Sequence, residues 1–475
     1  MTKDASERRI RPISVLQAVP MARNFLPYEE RQNFLLPPSI LEWVREDSLE
    51  CFVSELIEQL EAKGRLASFY ENYRIDGWGR AAYHPRMLVK VLVYAYCKGI
   101  TSSRKIAQAL ESEVAFRFLS ANQQPDFRTV SDFRKDNLAK LQGLFVEVLR
   151  LCQAAGLAKM GRVALDGRKV AGNAALDQNR TKEALEAEAK RLLAEAERVD
   201  AEEDRKYGKD KRGDELPEEL RDPRSRLQRI AAAYARLEEA ERREKEEQEK
   251  KIEERAREEE ETGKKKRGRK PKDPQEVVNN DKKANITDPE SRVLKTRRGW
   301  TQGYNAQAVA DCDSQVIVAE DVTQEENDVK QLGPMLDRCE EQAGRRPEEV
   351  LADAGYWSHD NARLEDERTE LFVATTKDWK QRKAQRERGA PRGRITKDAT
   401  LKERMERKLL TRRGKEAYKQ RGATIEPVFG QMAMRNLVRF WLRGIAKVKG
   451  EWSLWCTSHN ILKLWRAKVA LKPAC

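Results

Sequence analysis

Between Thr181 and Glu261 the chain is made almost wholly of Glu, Lys, Arg and Ala, as in ALEAEAKRLLAEAERVDAEEDRKYG and SRLQRIAAAYARLEEAERREKEEQEKKIEERAREEEE. Such a stretch has too few large apolar residues to bury a core of its own, and charges of both signs at i,i+4 support exposed helices instead. Gly208, Gly213, Pro217 and Pro223 interrupt the run, so the pattern predicts two long helices joined as a hairpin. A narrow apolar stripe (Leu185, Leu192, Leu193, Ala196; Leu227, Ile230, Ala233, Leu237) would either pair helix with helix or bind a partner, and the later part of the second helix is too polar to bury. Because strand-like sequence stands on both sides, the hairpin (residues 181–262) reads as an insert in one folded unit.

On the near side of that insert, Val163-Ala164-Leu165 ends in Asp166. On the far side, Glu349–Ala352 leads into Asp353, and residues 303–323 read as two strands around the turn Asp311–Gln315. Asn327 to about Ala343 has helical spacing, and Leu371–Thr375 is a further strand. Residues 377–400 read as a basic loop, and the remainder is helical. Within it Glu426 is expected in the first turn of a helix, with Thr424 as its cap and Pro427 where no N–H is needed. With the insert removed, the order strand, two strands, helix, strand, strand, helices predicts an α/β, ribonuclease-H-like mixed sheet flanked by helices, over 158–180 and 276–475.

Ahead of the sheet, residues 1–36 are a polar tail and 37–157 have helical periodicity, with Pro85 at a helix start and Ser102 or Ser103 as a cap. This predicts an all-α N-terminal domain of four to six helices that binds DNA. Arg104, Lys105, Arg117, Arg128, Arg134 and Lys135 are its candidate phosphate contacts, unless they are ordinary solvated positions. Residues 263–275 form a basic linker in which Arg267-Gly268-Arg269 resembles a minor-groove hook, but Lys270 interrupts that pattern before Pro271, so a flexible basic linker is the favoured reading. The net charge of +14 and pI of about 9.3 favour an anionic partner. Seven scattered cysteines without a CxxC pair argue against a disulfide framework or structural zinc. No stretch reads as a secretion signal or a spanning helix, so a soluble cytoplasmic protein with no membrane partner is expected.

A carboxylate at the end of a buried strand is costly without a counter-charge. Two of them, with a third acid in basic surroundings, suggest a shared divalent cation acting on a polyanion. Mg²⁺ (or Mn²⁺) takes oxygen ligands, and two such ions can activate an attacking oxygen and stabilise the leaving one. With three histidines in all, a zinc or Ser-His-Asp site has little to draw on. Each acid also has a plain alternative as a turn, loop or capping residue, and Asp177, Asp311, Asp313 and Asp321 are further candidates.

A series of collinear motifs narrows this. PDFRTVSDFR lies in the helical region, LDGRKVAGNA carries Asp166, and RGDELPEEL lies in the insert. TDPESRVLKT, GYNAQAVAD, SQVIVAEDVTQEENDVKQL and RRPEEVLADAGYWS follow, then Tyr418, Arg421 and Glu426 in the spacing Y-x2-R-x4-E, EPVFGQ, RFWLRG and EWSLWCTSHNILKLW. Together these resemble the DDE transposases of bacterial insertion sequences, in the branch with a helical insert after the first Asp, over nearly the whole chain. The resemblance implies an enzyme that cuts element ends and joins a 3′-hydroxyl to target DNA. Asp166, Asp353 and Glu426 would be its metal-binding triad, two Mg²⁺ (or Mn²⁺) ions its cofactors, and Tyr418 and Arg421 DNA-binding residues, Arg421 on a phosphate. It further implies inverted-repeat ends and target DNA as partners, a homodimer, and a bacterial, nucleoid-associated location. Two departures stand out. Arg168 replaces a Thr after the first Asp-Gly, where it would add a phosphate contact. Ala433 occupies the position of a lysine, for which Arg435 would substitute. A nuclease without strand transfer and a catalytically decayed DNA-binding relative remain the alternatives.

Overall fold

In this computed structural model the described residues are 39–73, 81–207, 223–262, 282–297, 299–389 and 398–471, with isolated positions between them. The polar tail, the apex of the insert, and Arg267 and Arg269 of the basic linker lie outside the described residues. Ahead of the first strand every regular element is helical: α1 (Leu49–Ala62), α2 (Pro85–Cys97), α3 (Ser103–Ser112), α4 (Val114–Leu119), α5 (Phe127–Asp136) and α6 (Leu138–Ala154). Pro85 opens α2 at a position whose N–H would have no helical acceptor, and Ser102 precedes α3.

The sheet follows. β1 (Arg162–Ala171) leads through a two-residue strand, β2 (Asn179–Arg180), into the insert helices α7 (Lys182–Tyr207) and α8 (Pro223–Thr262). The chain returns as β3 (Ala284–Asn285), β4 (Arg292–Thr296), β5 (Gly299–Asp311) and β6 (Ile317–Thr323), then α9 (Leu332–Ala343) and β7 (Glu349–Ala352). The last elements are α10 (His359–Ala362), β8 (Glu370–Val373), α11 (Trp379–Arg388), α12 (Leu401–Leu410), α13 (Arg412–Met434) and α14 (Ile445–Leu471). Strand order is β4-β5-β1-β7-β8, with β6 also on β5. β5 runs antiparallel to β1, β4 and β6, whereas β7 is parallel to both β1 and β8. The protein is thus mixed α/β, a mixed sheet flanked by helices.

One apolar core runs from Leu49 to Leu464, joining the leading helices to the sheet. Its centre is α14, packed against α2, α6 and β6. Buried on all these sides, α14 shows no one-sided stripe, and its polar residues are spent inside the fold. Asn460 Nδ2 donates to Ile317 O and its Oδ1 accepts from Ile317 N, both at 2.8 Å, which covers the open edge of β6. In the insert, Leu185, Leu192, Ile230, Ala233 and Leu237 form a small separate core with Ala284 and Ile286, so the β2–β3 pair, missed in the sequence, seals the hairpin base. Leu193, expected in the stripe, is instead half exposed.

Two expectations are corrected. Residues 379–388 form α11 rather than a loop, because WKQRKAQRER consists mostly of good helix formers and Asp378 Oδ1 accepts from Lys380 N at 2.8 Å near its start. Glu426 lies not at a helix start but well inside α13, which begins at Arg412 and is capped by Thr411, whose hydroxyl accepts from Gly414 N at 3.0 Å. Pro427 is therefore interior and removes the N–H that Ala423 O would have accepted. Gln315 Nε2, from the β5–β6 turn, donates to that carbonyl at 3.2 Å. Thr424 does not cap; its hydroxyl donates back to Gln420 O at 2.8 Å.

Candidate active site

Three pairs fix the register of β1 on β7: Arg162 opposite Glu349, Val163 opposite Val350 and Ala164 opposite Leu351. Carried forward by the same offset, Asp166 stands level with Asp353, the first residue beyond β7. Neighbouring strands lie about 4.8 Å apart, so two residues distant in sequence present carboxylates side by side. Asp166 Oδ1 accepts from Gly167 N at 2.9 Å and Asp353 Oδ1 from Gly355 N at 2.6 Å. Helix α13 packs across β1 and β7 and brings the third acid. Arg421 Nη1 lies 3.0 Å from Asp166 Oδ2, while its Nη2 lies 3.7 Å from Glu426 Oε1.

Burial pushes the Asp166 carboxyl up to about 6; the Arg421 guanidinium draws it down and the nearby Asp353 carboxylate pushes it further up. That balance describes a site short of positive charge. Arg421 supplies part of it, occupying the place between Asp166 and Glu426 that a shared cation would take. Among the described residues no three His, Cys, Asp or Glu side chains close on a common point, and Glu426 keeps 68% of its side chain exposed. The donor set is nevertheless all carboxylate oxygen, the chemistry that suits Mg²⁺ or Mn²⁺. At Gly355 an added Cβ would come within 2.7 Å of Asp353 Oδ1, so a glycine is what lets the loop after β7 close its N–H onto that oxygen. Asp166 and Asp353 thus bring together two carboxylates of the kind that suits a divalent ion, with Glu426 on the other side of the Arg421 guanidinium.

Tyr418 is half-buried and lines, with Lys415, Lys419 and Arg421, a cleft of about 460 Å³ between α13 and the end of β8. Arg168 turns inward, Nη1 donating to Phe429 O of α13 at 2.7 Å. Arg435 closes α13 and is likewise committed to the fold: its Nη1 donates to Ser458 Oγ at 3.1 Å, and the guanidinium lies 5.7 Å from the Trp455 ring centre. Its neighbour Ala433 is half-buried in the last turn of α13. Arg128 is exposed, and with Arg104 it flanks the Phe127 ring. Sequence reasoning passed over Asp328, Asn305, Gln307 and Tyr356, which gather beside Gly167 and Asp353. Their only signal was proximity in the quoted motifs.

The expectation that Arg134 contacts DNA is corrected, since its side chain is buried. Its Nη1 donates to Thr101 O at 2.7 Å and Tyr96 Oη at 3.2 Å, and its Nη2 to Ser103 Oγ at 3.4 Å. Arg134→Ala is expected to lower the unfolding free energy by about 2 kcal/mol, because buried acceptors lose a charged donor. Urea denaturation reads this, and the salt dependence of DNA binding should keep its slope; a shallower slope would return Arg134 to the phosphate-contacting set.

Residues 38–136 match the family model described as transposase domain (DUF772), and residues 377–465 match that described as transposase DDE domain. The first spans α1 to α5; the second contains Tyr418, Arg421 and Glu426, with Asp166 and Asp353 outside both. No curated protein and no solved structure matches the chain.

Proposed function

We propose that this protein, a DDE transposase of the insertion-sequence type, binds the inverted-repeat ends of its element, cuts them and joins them to target DNA through Asp166, Asp353 and Glu426. The observation that carries the reading is the β1–β7 register, which sets Asp166 level with Asp353 while one guanidinium links Asp166 to Glu426. Three antiparallel strands, β6-β5-β1, continuing into parallel β7 and β8 support a ribonuclease-H-like reading of the sheet.

In this reading Asp166, within β1 rather than at the strand end the sequence suggested, and Asp353, just beyond β7, would hold Mg²⁺ or Mn²⁺ on rigid backbone, and Glu426 would complete the set from α13. The metal supplies Lewis acidity toward the attacking and leaving oxygens of a phosphodiester. Arg421, released from neutralising Asp166, offers its guanidinium to a DNA phosphate, and Lys415 and Lys419 extend the cationic track along α13. Exposed Arg104 and Arg128 contribute phosphate contacts from the leading helices, which serve as the end-binding part. Two copies act on paired ends, on the DNA of the nucleoid.

A strand-transfer assay with labelled element ends, a target plasmid and Mg²⁺ tests this. Joined products are expected. Cutting without joining would reduce the protein to a nuclease, and binding without either would make it a DNA-binding relative that has lost its chemistry.

A further inference from the structure

Asp328 begins the short helical turn Asp328–Lys330 between β6 and α9. Its Oδ1 accepts from two amides of β5, Asn305 Nδ2 at 2.7 Å and Gln307 Nε2 at 2.8 Å. Gln307 is held in turn, its Oε1 accepting from the hydroxyl of Tyr356, a fully buried residue of the loop that follows Asp353. The cluster lies against β1 at Gly167, where an added Cβ would meet Gln307 Nε2 at 2.3 Å and Asp328 Oδ1 at 2.6 Å. Side chains alternate along a strand, so Asp328 approaches the site from the face of β1 opposite Arg421.

The other carboxylate oxygen lies toward Gly355 and Asp353. A Cβ built at Gly355 would stand 3.5 Å from Asp328 Oδ2 and 2.7 Å from Asp353 Oδ1. The two carboxylates therefore flank the same space, the one a Cβ at position 355 would fill, although they do not close with Asp166 into a three-acid cluster among the described residues. Oδ2 accepts no hydrogen bond among the described residues. A second group beside it is also unfulfilled: Asn305, only 1% exposed, has its Oδ1 buried without a donor and turned toward Gly167. Both Asn305 amide protons are committed, to Asp328 Oδ1 and to Glu325 O at 3.3 Å, so the orphan oxygen is not a matter of which way the amide is turned. A clamped carboxylate beside another, with an acceptor lacking its donor, is an arrangement that a hydrated cation completes.

We infer that Asp328 is a fourth carboxylate of the active site, presenting Oδ2 to the divalent cation held by Asp353 while Asn305 and Gln307 fix its orientation. The inference rests on the metal reading above. Titrating the full-length protein with Mn²⁺ alone, with free Mn²⁺ followed by electron paramagnetic resonance, separates the two. Saturable binding is expected for the unaltered chain, its loss in Asp353→Asn, and roughly tenfold weaker binding in Asp328→Asn, with thermal melts run alongside. If the unaltered chain binds no Mn²⁺, the metal reading falls and this role with it. Loss in Asp353→Asn but undiminished affinity in Asp328→Asn leaves the metal reading standing and overturns the role of Asp328 alone, even if the melting point drops. Should Asp328→Asn not fold, Asp328→Glu keeps the charge and displaces the oxygens by one methylene. Several-fold weaker binding there supports the role and unchanged affinity overturns it.

Discussion

Asp353→Asn is expected to slow DNA cleavage and end joining by about a thousandfold or more while leaving DNA binding and the melting temperature close to those of the unaltered protein. The substitution preserves size, and the amide oxygen can still accept from Gly355 N as Asp353 Oδ1 does, so the loop after β7 keeps its shape. What disappears is one negative charge next to Asp166. A neutral amide is a poor ligand for a hard dication, and losing the ion forfeits stabilisation of both the attacking and the leaving oxygen. A thousandfold corresponds to about 4 kcal/mol of transition-state stabilisation, well within what an ion contributes. Single-turnover cleavage of a labelled element end measures the first effect, and a gel shift the second. Cleavage at the unaltered rate would remove Asp353 from the mechanism and with it the shared-cation account of the three acids.

The strands that carry the two acids were legible because their signal is local, although β1 runs on past Asp166 to Ala171 instead of ending there. An apolar run stopping at Asp166, or at Asp353, carries both the strand and the exception within a few residues, and β7 falls on Glu349–Ala352 as expected. The hairpin of β5 and β6 is local in the same sense. Where the sequence misled, the deciding interaction was distant. Pro427 looks like a helix start because its own neighbourhood contains nothing to satisfy the carbonyl it orphans; the partner is Gln315, more than a hundred residues away. Arg134 looks like one more basic residue on a helix until Tyr96, Thr101 and Ser103 are brought around it. Asp328 is the same case inside the candidate site: an ordinary acid next to an Asn, given meaning only when β5 lays Asn305 and Gln307 beside it. Local chemistry thus announced the carboxylates on β1 and after β7, whereas the residues that orient or neutralise them depend on the assembled sheet.

Asp166→Asn carries the second large effect, and its sign is unusual for a buried substitution. The Asp166 carboxyl, raised to about 6 from an ordinary value of 3.8, binds its proton more tightly in the folded protein than in the unfolded chain. Stability linked to this group is therefore fully present below about pH 4, falls as pH rises, and is lost above about pH 6. At pH 7.5 the charged carboxylate costs the fold up to about 3 kcal/mol, the equivalent of its displacement. Its side chain is 22% exposed, with Arg421 already counted among its partners. Removing the charge should then raise the urea midpoint at pH 7.5, raise it only about a third as much at pH 4.5, and abolish cleavage at both. A lower midpoint at pH 7.5 would instead mean that the Arg421 ion pair outweighs the burial penalty, and that the site is not short of positive charge. The expected gain follows from the same arrangement that makes the site useful. Two carboxylates held side by side, Asp166 within β1 and Asp353 just beyond β7, repel one another, and a dication bound between them would relieve that repulsion.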